Sequence, residues 1–444
     1  MKLNMTNRKI RGLVKFMRIE KIRLENFRCF EELEVAFRED YTILVGVNGA
    51  GKSSILEAVS IALGSFISEF SGISGNTIPS EDAHYKYYPI GSRVERQPQF
   101  PVVVEAKGNF DGNEIEWIRS VNREGGNTTV IGAKKMKEYA RGLNDRVMRG
   151  DQTIILPLIS YYGTARLWMQ KRQKKNNTQD IRLTRQNGYV DCLSSAANEK
   201  FMLKWFEEMT YYQLEEGREI AELSAVKRAL ECCCKRVYPD AQKITFNFNI
   251  KTKDLEIFIR RENGEEEILP TRLLSDGIKG VLGLVADIAY RMALLNPQLL
   301  HRINETPGVV LIDEIDMHLH PSWQKTIIND LKDAFPNVQF IFTTHSPSIL
   351  SNVYQEHILI LDEYKVYHPT DKTYGRDVDS ILKQLMEVDV RPDGVVQKLR
   401  DFSDSLEEGN LSLARRLLDE LELILGSNDS EIISAKVALD LEEL

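Results

Sequence analysis

The stretch Gly46-Val-Asn-Gly-Ala-Gly51-Lys52-Ser53 constrains this chain more than any other, because it fits the spacing G-x-x-x-x-G-K-[ST]. The apolar run 42–45 before it reads as a buried strand, and residues 54–63 after it read as a helix. Between a strand and a helix, glycines let a loop turn its amide N–H groups inward around phosphate oxygens, and the helix N-terminus adds a favourable dipole. The candidate nucleotide-binding residues are therefore Asn48, Gly49, Ala50, Gly51, Lys52, Ser53 and Ser54. Lys52 is expected at the β- and γ-phosphates of a nucleotide, and the Ser53 hydroxyl on Mg²⁺.

A second set of candidates lies far along the chain. Residues 308–312 form a continuous apolar run, as expected of a parallel strand covered on both faces, and the run ends in Asp313 and Glu314. Acids at the carboxyl end of such a strand sit where open α/β sheets place their ligands. Asp313 is the candidate metal ligand beside Ser53, and Glu314 the candidate base that polarises an attacking water. Residues 340–347 repeat the design, an apolar strand ending in His345, whose imidazole can donate to a γ-phosphate and is the second catalytic candidate. Ser275 and Gly277 precede a helix expected over 281–295, and a Ser and a Gly at a helix N-terminus make a second anion-binding end. On the expected sheet order Ser275 does not reach phosphates held by its own Lys52 and would serve a second subunit's nucleotide.

Composition bounds the rest. With 42% hydrophobic and 28% charged residues and a net charge of −8, the chain reads as globular and not as uniformly basic. A local excess remains at 166–185, where seven Lys or Arg face one acid, Asp180. It reads either as a solvated basic loop or as a contact to a DNA backbone. The longest apolar segment, 280–295, is interrupted by Asp287 and Arg291 and so does not read as a membrane span. Residues 1–16 are basic and lack an apolar core of the secretory type. The expectation is a cytoplasmic protein with no membrane segment. Cys232, Cys233 and Cys234 are consecutive on a predicted helix, about 100° apart, which is wrong for zinc and right for helix packing.

The expected organisation is a basic extension over 1–16, a first lobe with the phosphate loop over 17–165, a basic loop and helical insertion over 166–240, a second lobe over 241–365 and a helical region over 366–444. Two strands are expected at 19–27 and 33–37, and residues 71–99 read as loop. An antiparallel pair is expected over 101–108 and 114–122 around the turn Asp111-Gly112-Asn113, and another over 244–250 and 255–261.

Taken together, Ile22-Arg-Leu-Glu-Asn-Phe-Arg-Cys-Phe, the phosphate loop, Leu274-Ser275-Asp276-Gly277, Ile312-Asp313-Glu314 and Thr344-His345-Ser346 resemble the ABC-type ATPases of the SMC/RecF/OLD branch. The resemblance covers roughly residues 17–365 and implies an α/β P-loop NTPase head of ABC type with an antiparallel β subdomain, a helical insertion and a helical C-terminal region. It also implies that two heads sandwich two ATP molecules, Ser275 and Gly277 of one completing the site of the other. Asp316 and His318-Leu-His320-Pro look like that family's D-loop region. Asp276, Ile278 and Lys279 depart from its transporter-type signature, and Gln97 and Gln99 are the candidates for its Q-loop glutamine. Leu156-Pro-Leu-Ile-Ser-Tyr-Tyr-Gly-Thr and Tyr374-Gly-Arg-Asp-Val-Asp-Ser-Ile-Leu narrow the resemblance to the PtuA-type ATPases of Septu and retron anti-phage systems, which implies an oligomer partnered by an HNH endonuclease of PtuB type. No nuclease of the chain's own is expected, since 366–444 is too short and too helical for a TOPRIM domain. Alternative readings of the same motifs are a RecF-like repair ATPase that clamps duplex DNA through 166–185, and a scaffold that ATP locks without hydrolysis.

Overall fold

The computed structural model describes residues 17–164, 184–194, 199–235, 238–385 and 391–442. The expected extension over 1–16 and most of the basic stretch, 166–183, lie outside the described residues. The chain begins with the antiparallel pair β1 (Met17–Phe27) and β2 (Phe30–Ala36), and β3 (Tyr41–Gly46) then leads through the phosphate loop into helix α1 (Lys52–Ile67). A hairpin follows, β4 (Tyr85–Ile90) and β5 (Arg93–Pro98), then β6 (Val102–Phe110), β7 (Asn113–Val121), α2 (Lys134–Met148) and β8 (Leu158–Tyr162). Two helices come next, α3 (Glu199–Glu216) and α4 (Ala221–Cys234), with three strands behind them, β9 (Ala241–Asn249), β10 (Asp254–Arg261) and β11 (Glu266–Pro270). The second half of the head comprises α5 (Asp276–Leu295), β12 (Gly308–Ile312), α6 (Ile327–Ala334), β13 (Val338–Thr343), β14 (Ile358–Asp362) and β15 (Lys365–Tyr367).

Six of these strands form the central sheet, in the order β15-β14-β3-β13-β12-β8, all parallel except the edge strand β15. Every residue of β12 and β13 is buried, as their unbroken apolar runs require of strands covered on both faces. The register pairs Leu44 with Thr343 and Ile312 with Phe342, so β3, β13 and β12 end level with one another. β13 lies between the other two, and the residues that follow all three strands emerge on one edge.

The other large sheet is antiparallel, in the order β2-β1-β6-β7. Its inward residues alternate, and a register shift between Ile19 and Lys21 brings Ile22 back to the buried face. α1 packs on both sheets and is buried without interruption from Ala58 to Ile67. The antiparallel sheet holds it by hydrogen bonds as well: Trp117 Nε1 donates to the Ala62 carbonyl at 2.9 Å, and Arg119 to the Ile61 carbonyl at 3.0 Å.

Several segments differ from expectation. Residues 85–98 are a two-stranded hairpin and not loop; its outward Tyr87, Ile90 and Val94 lack the polar alternation that marks a half-buried strand. α2 was not expected, although Met136, Ala140 and Leu143 repeat at helical spacing on its buried face. The helical insertion breaks into two at Gly217, which has a left-handed φ of 63°. β11 adds a third strand to the β9/β10 hairpin. Of the three consecutive cysteines, Cys233 and Cys234 are buried and Cys232 is exposed, and none is in a disulfide.

The structure divides into two units, Met1–Gly375 and Arg376–Leu444. The second contains α7 (Val378–Leu385), α8 (Asp393–Glu407), α9 (Leu411–Leu425) and α10 (Ser430–Glu442), with its own core around Phe402, Leu418, Leu421, Ile432 and Leu439. Arg391 ties the start of α8 to Asp429 at 2.8 Å and Glu431 at 2.7 Å. Among the described residues no helix is long and apolar enough to cross a membrane. Asp287 and Arg291, the two charges that interrupt the longest apolar run, form an ion pair at 2.7 Å buried within the head.

The end of α5 is fixed by polar groups. Asn296 is fully buried and exchanges two hydrogen bonds with the Leu156 backbone, each 2.8 Å, while Arg185 donates to the carbonyls of Leu295 and Ile154 at 2.7 and 2.6 Å. Replacing Asn296 with Ala removes the partners of both Leu156 groups. At roughly 1–3 kcal/mol per buried orphan, the variant should lose about 2–6 kcal/mol in urea unfolding. A loss under about 0.5 kcal/mol, the size of an ordinary surface change, would show that those groups find other partners.

Candidate nucleotide-binding site

The loop after β3 is shaped by what crowds it. A Cβ on Gly46 would fall 2.4 Å from the Leu361 carbonyl oxygen of the neighbouring strand, so only glycine fits there. Gly51 has φ 103°, and a Cβ on it would fall 2.3 Å from the Phe30 ring and 2.8 Å from Cys29 Sγ. The turn between β1 and β2 thus presses on the loop from outside. Ala50 is buried and donates its N–H to the Val47 carbonyl at 3.2 Å.

One cavity of about 280 Å³ gathers most of the sequence candidates. It is lined by Asn48, Gly49, Gly51, Lys52, Ser53 and Ser54 from the loop, Asp313 and Glu314 from the end of β12, His345 from the end of β13, and Arg28 and Cys29 from the β1–β2 turn. Lys52 is buried and donates to the loop's own carbonyls, Gly46 at 2.9 Å and Val47 at 3.0 Å. Burial lowers its pKa, against the pull of Asp313, Glu314 and Asp316, which favour the ammonium.

Thr343 organises the acids. Its hydroxyl donates to Asp313 Oδ1 at 2.6 Å and accepts from the Glu314 N–H at 2.7 Å. Glu314 has left-handed backbone, φ 48°, a conformation that costs a residue of its type about 1–3 kcal/mol and recurs at functional sites. One residue on, the Thr344 hydroxyl donates to Asp316 at 2.6 Å. Thr344 belongs to the sequence pattern quoted above, and the role of both threonines needs the β12/β13 register to be seen. The His345 pKa is lowered by burial first and then by the Lys52 charge, so the imidazole is neutral at pH 7.

Arg28 also has positive φ, 52°, and its guanidinium donates to Asp82 at 2.8 Å and to Glu57 on α1. Burial works against that charge, and the two acids outweigh it and raise the pKa. Burial pushes the Cys29 thiol up, which keeps it protonated at neutral pH.

Ser275 and Gly277 are elsewhere. They line a different cavity of about 270 Å³ with His318, His320, Ser322 and Trp323, and no residue lines both. The exposed Ser275 begins α5 without capping it by its side chain, and a Cβ on Gly277 would lie 2.2 Å from the His318 carbonyl oxygen. Gln97 and Gln99 line neither cavity. Gln97 is on the exposed hairpin and bonds Glu95, and Gln99 bonds the Gln97 carbonyl, so neither is placed as a Q-loop residue. Arg185, the one cation of the basic stretch among the described residues, is spent on internal carbonyls and is not a surface contact.

A glycine loop leading into a buried helix, with two acids and a histidine emerging from adjacent strands on the same edge, defines a P-loop nucleotide-binding head. The comparisons with known proteins agree. The model of an AAA domain matches residues 21–231, and a second, described as an AAA domain, putative AbiEii toxin, Type IV TA system, matches 145–351. The Retron Ec83 probable ATPase of Escherichia coli is 27% identical over 96% of this chain and 87% of its own length. The Retron Vc95 probable ATPase of Vibrio cholerae is 28% identical over 85% of this chain and 80% of its own. The Septu protein PtuA of Bacillus thuringiensis is 30% identical over 40% of this chain and 46% of its own. The chain is thus similar to ATPases of retron and Septu systems, in keeping with an ABC-type nucleotide-binding head.

Because a nearby positive charge disfavours imidazolium, removing it favours the charged form. In Lys52→Ala, the proton-NMR titration midpoint of His345 should therefore rise toward the ordinary value of about 6.5. A midpoint that stays put would mean that Lys52 does not face the imidazole.

Proposed function

We propose that this chain binds and hydrolyses ATP with Mg²⁺, that two copies meet head to head around two nucleotides, and that turnover controls a partner nuclease of the HNH type in anti-phage defence. The observation that carries the reading is that one cavity holds Lys52, Ser53, Asp313, Glu314 and His345, while Ser275 and Gly277 open into another. A head built this way has half of its chemistry facing away from its own phosphates.

In this reading the Lys52 ammonium exchanges the Gly46 and Val47 carbonyls for β- and γ-phosphate oxygens, as the amides of Asn48 to Ser54 turn toward the same anion. Ser53 and Asp313 would hold Mg²⁺. A hydroxyl and a carboxylate suit an ion that keeps its other positions for water and phosphate, and the Thr343 hydrogen bond orients the Asp313 carboxylate. The bound ion supplies charge neutralisation on the transferring phosphate. Glu314 takes the proton of the attacking water, and the Thr343 bond to its N–H keeps its backbone in the left-handed turn that brings it to the cavity. His345 enters neutral, with one ring N–H to donate to the γ-phosphate. Ser275 and Gly277 of the second copy complete the far side.

The retron and Septu names of the relatives support the defence setting, and the resemblance to PtuA-type ATPases supports the HNH partner. In the C-terminal unit, Ile433, Val437 and Leu441 are exposed at i, i+4 and i+8 on α10, an apolar stripe suited to a partner helix. Cysteines without disulfides among the described residues suit the reducing cytoplasm.

Three variants separate the roles. Lys52→Ala should lose ATP binding in calorimetry. Glu314→Gln should keep ATP binding and stabilise the ATP-bound dimer in size-exclusion chromatography, while turnover falls by about a hundredfold or more. Normal turnover in Glu314→Gln would remove the catalytic assignment. Ser275→Arg should bind ATP as the parent does yet fail to turn it over, and active Ser275→Arg would sink the two-headed site. For the partner, a tagged pull-down with ATP and Mg²⁺ should recover an HNH endonuclease at fixed stoichiometry; recovery of DNA and repair proteins in its place would overturn the defence reading.

A further inference from the structure

The hairpin β4/β5 forms a sheet of its own. Each of its strands contains a proline, Pro89 or Pro98, which breaks the ladder that its edge would offer to a further strand. The register sorts the side chains by face. Tyr87 pairs with Arg96 and Pro89 with Val94, and these four share a face with Tyr85 and Pro98. That face contains no acid, and its Tyr87 and Val94 are 63% and 67% exposed. The last pair before the turn is Ile90 and Arg93, both exposed. Single exposed apolar residues are ordinary, but here rings and aliphatic groups are interleaved with arginines on one ribbon.

The arginines indicate the charge of what binds there. The Arg96 guanidinium lies over the Tyr85 ring at 3.5 Å, a contact that uses its flat face and leaves its N–H donors unspent. Among the described residues neither Arg93 nor Arg96 has an acid within ion-pair distance, whereas Lys86 pairs with Glu31. In a chain of net charge −8, two uncompensated cations on an exposed ribbon mark a local anion contact. A second copy of the hairpin would bring the same cations, and the prolines disfavour an added protein strand. The rings decide the kind of anion. Exposed aromatic faces beside phosphate-binding forks suit unstacked bases on a phosphate backbone. A duplex keeps its bases stacked and depends on many phosphate contacts, for which two arginines are few.

We propose that the β4/β5 hairpin binds single-stranded nucleic acid, with a base stacked on Tyr87, its phosphate on Arg96, and a second phosphate on Arg93 at the tip. The hairpin is rooted beside the nucleotide cavity. The His84 N–H donates to the Asn26 carbonyl at 2.9 Å, its Nδ1–H to the Arg28 carbonyl at 2.8 Å, and the Arg28 N–H to the Asp82 carbonyl at 2.7 Å. Arg28 and Cys29 line that cavity, and Cys29 and Phe30 crowd Gly51 of the phosphate loop. A strand on the hairpin therefore bears on the phosphate loop through residues 26–30. The binding claim rests on the hairpin alone, and its link to ATP rests on the ATPase reading above.

Fluorescence anisotropy on the full chain, with a labelled oligo-dT of about 20 nucleotides and no ATP, tests the site. The parent should bind with a Kd of about 1–100 µM, and its affinity should fall with salt at a log–log slope of about −1.4, as for two phosphates of a single strand. A duplex of the same length should bind at least about tenfold more weakly. Tyr87 and Arg96 are exposed, so their variants keep the fold. Tyr87→Ala should bind about fivefold more weakly or worse. Arg96→Gln should bind more weakly and flatten the slope by about 0.7. Lys52→Ala should bind oligo-dT as the parent does. Saturating oligo-dT should shift the parent's Kd for ATP by about fivefold or more in calorimetry. No binding at about 100 µM, equal affinity for the duplex, or full affinity in Tyr87→Ala would each overturn the site. A parent that ignores oligo-dT, with a protein partner lost from the pull-down in Tyr87→Ala, would make the hairpin a protein contact and overturn it too. An unmoved Kd for ATP would overturn the coupling. A parent that binds oligo-dT through Tyr87 but never binds ATP would sink the ATPase reading and leave the hairpin site standing.

Discussion

One hydroxyl group, that of Thr343, joins the two halves of the candidate site. It holds the Asp313 carboxylate with its proton and the Glu314 amide with its lone pair, at 2.6 and 2.7 Å. β12 contributes two consecutive acids whose side chains have to serve one cavity, although neighbouring residues on an extended strand point to opposite faces. The left-handed turn at Glu314 resolves this conflict, and the Thr343 bond is what makes that backbone tolerable. The level ends of β3, β13 and β12 follow the same logic. A one-residue slip of β13 would take the hydroxyl to the other face and release both acids.

Buried charge elsewhere in the head is handled by the same rule of local pairing. Arg291 is balanced by Asp287 and donates further to the Gly188 and Val190 carbonyls, each at 2.9 Å. Arg185 and Arg119 have backbone carbonyls for partners, and burial lowers the pKa of both. Lys52 is different in kind. It too has carbonyls for partners, but they belong to the loop it must serve, and three acids stand within its electrostatic reach. The contrast separates charges that hold the fold from one that is available for exchange with a ligand.

How far this was legible in the sequence depended on whether a residue's meaning was local. The phosphate loop, the strand ending in Asp313 and Glu314 and the strand ending in His345 could be read because each is an apolar run finished by chemistry within a few residues. Residues 85–98 could not, since a hairpin that leaves Tyr87 and Val94 exposed carries no period of two. Arg185 was counted with a surface basic stretch, because nothing in the sequence tells that Leu295 and Ile154 will offer it carbonyls. Asp287 and Arg291 were read as marks against a membrane span, which is true of them and says nothing of their pairing. The Thr343 clamp and the absence of Gln97 from the cavity depend on contacts between segments distant in the chain, whereas the separation of Ser275 from Lys52 followed from the expected sheet order.

α1 has a consequence for the loop that precedes it. From Ala58 to Ile67 the helix has no wet side, and its open positions are confined to the first turns, where Ser53 and Ser54 face the cavity and Glu57 meets Arg28. Most surface helices can bend or fray by exchanging amide bonds for water along an outer face. This one has no such face, so the stiffness of two sheets is passed along it to the amides at its N-terminus. The loop's anion cradle is in that sense an extension of the core, with its geometry set before any phosphate arrives.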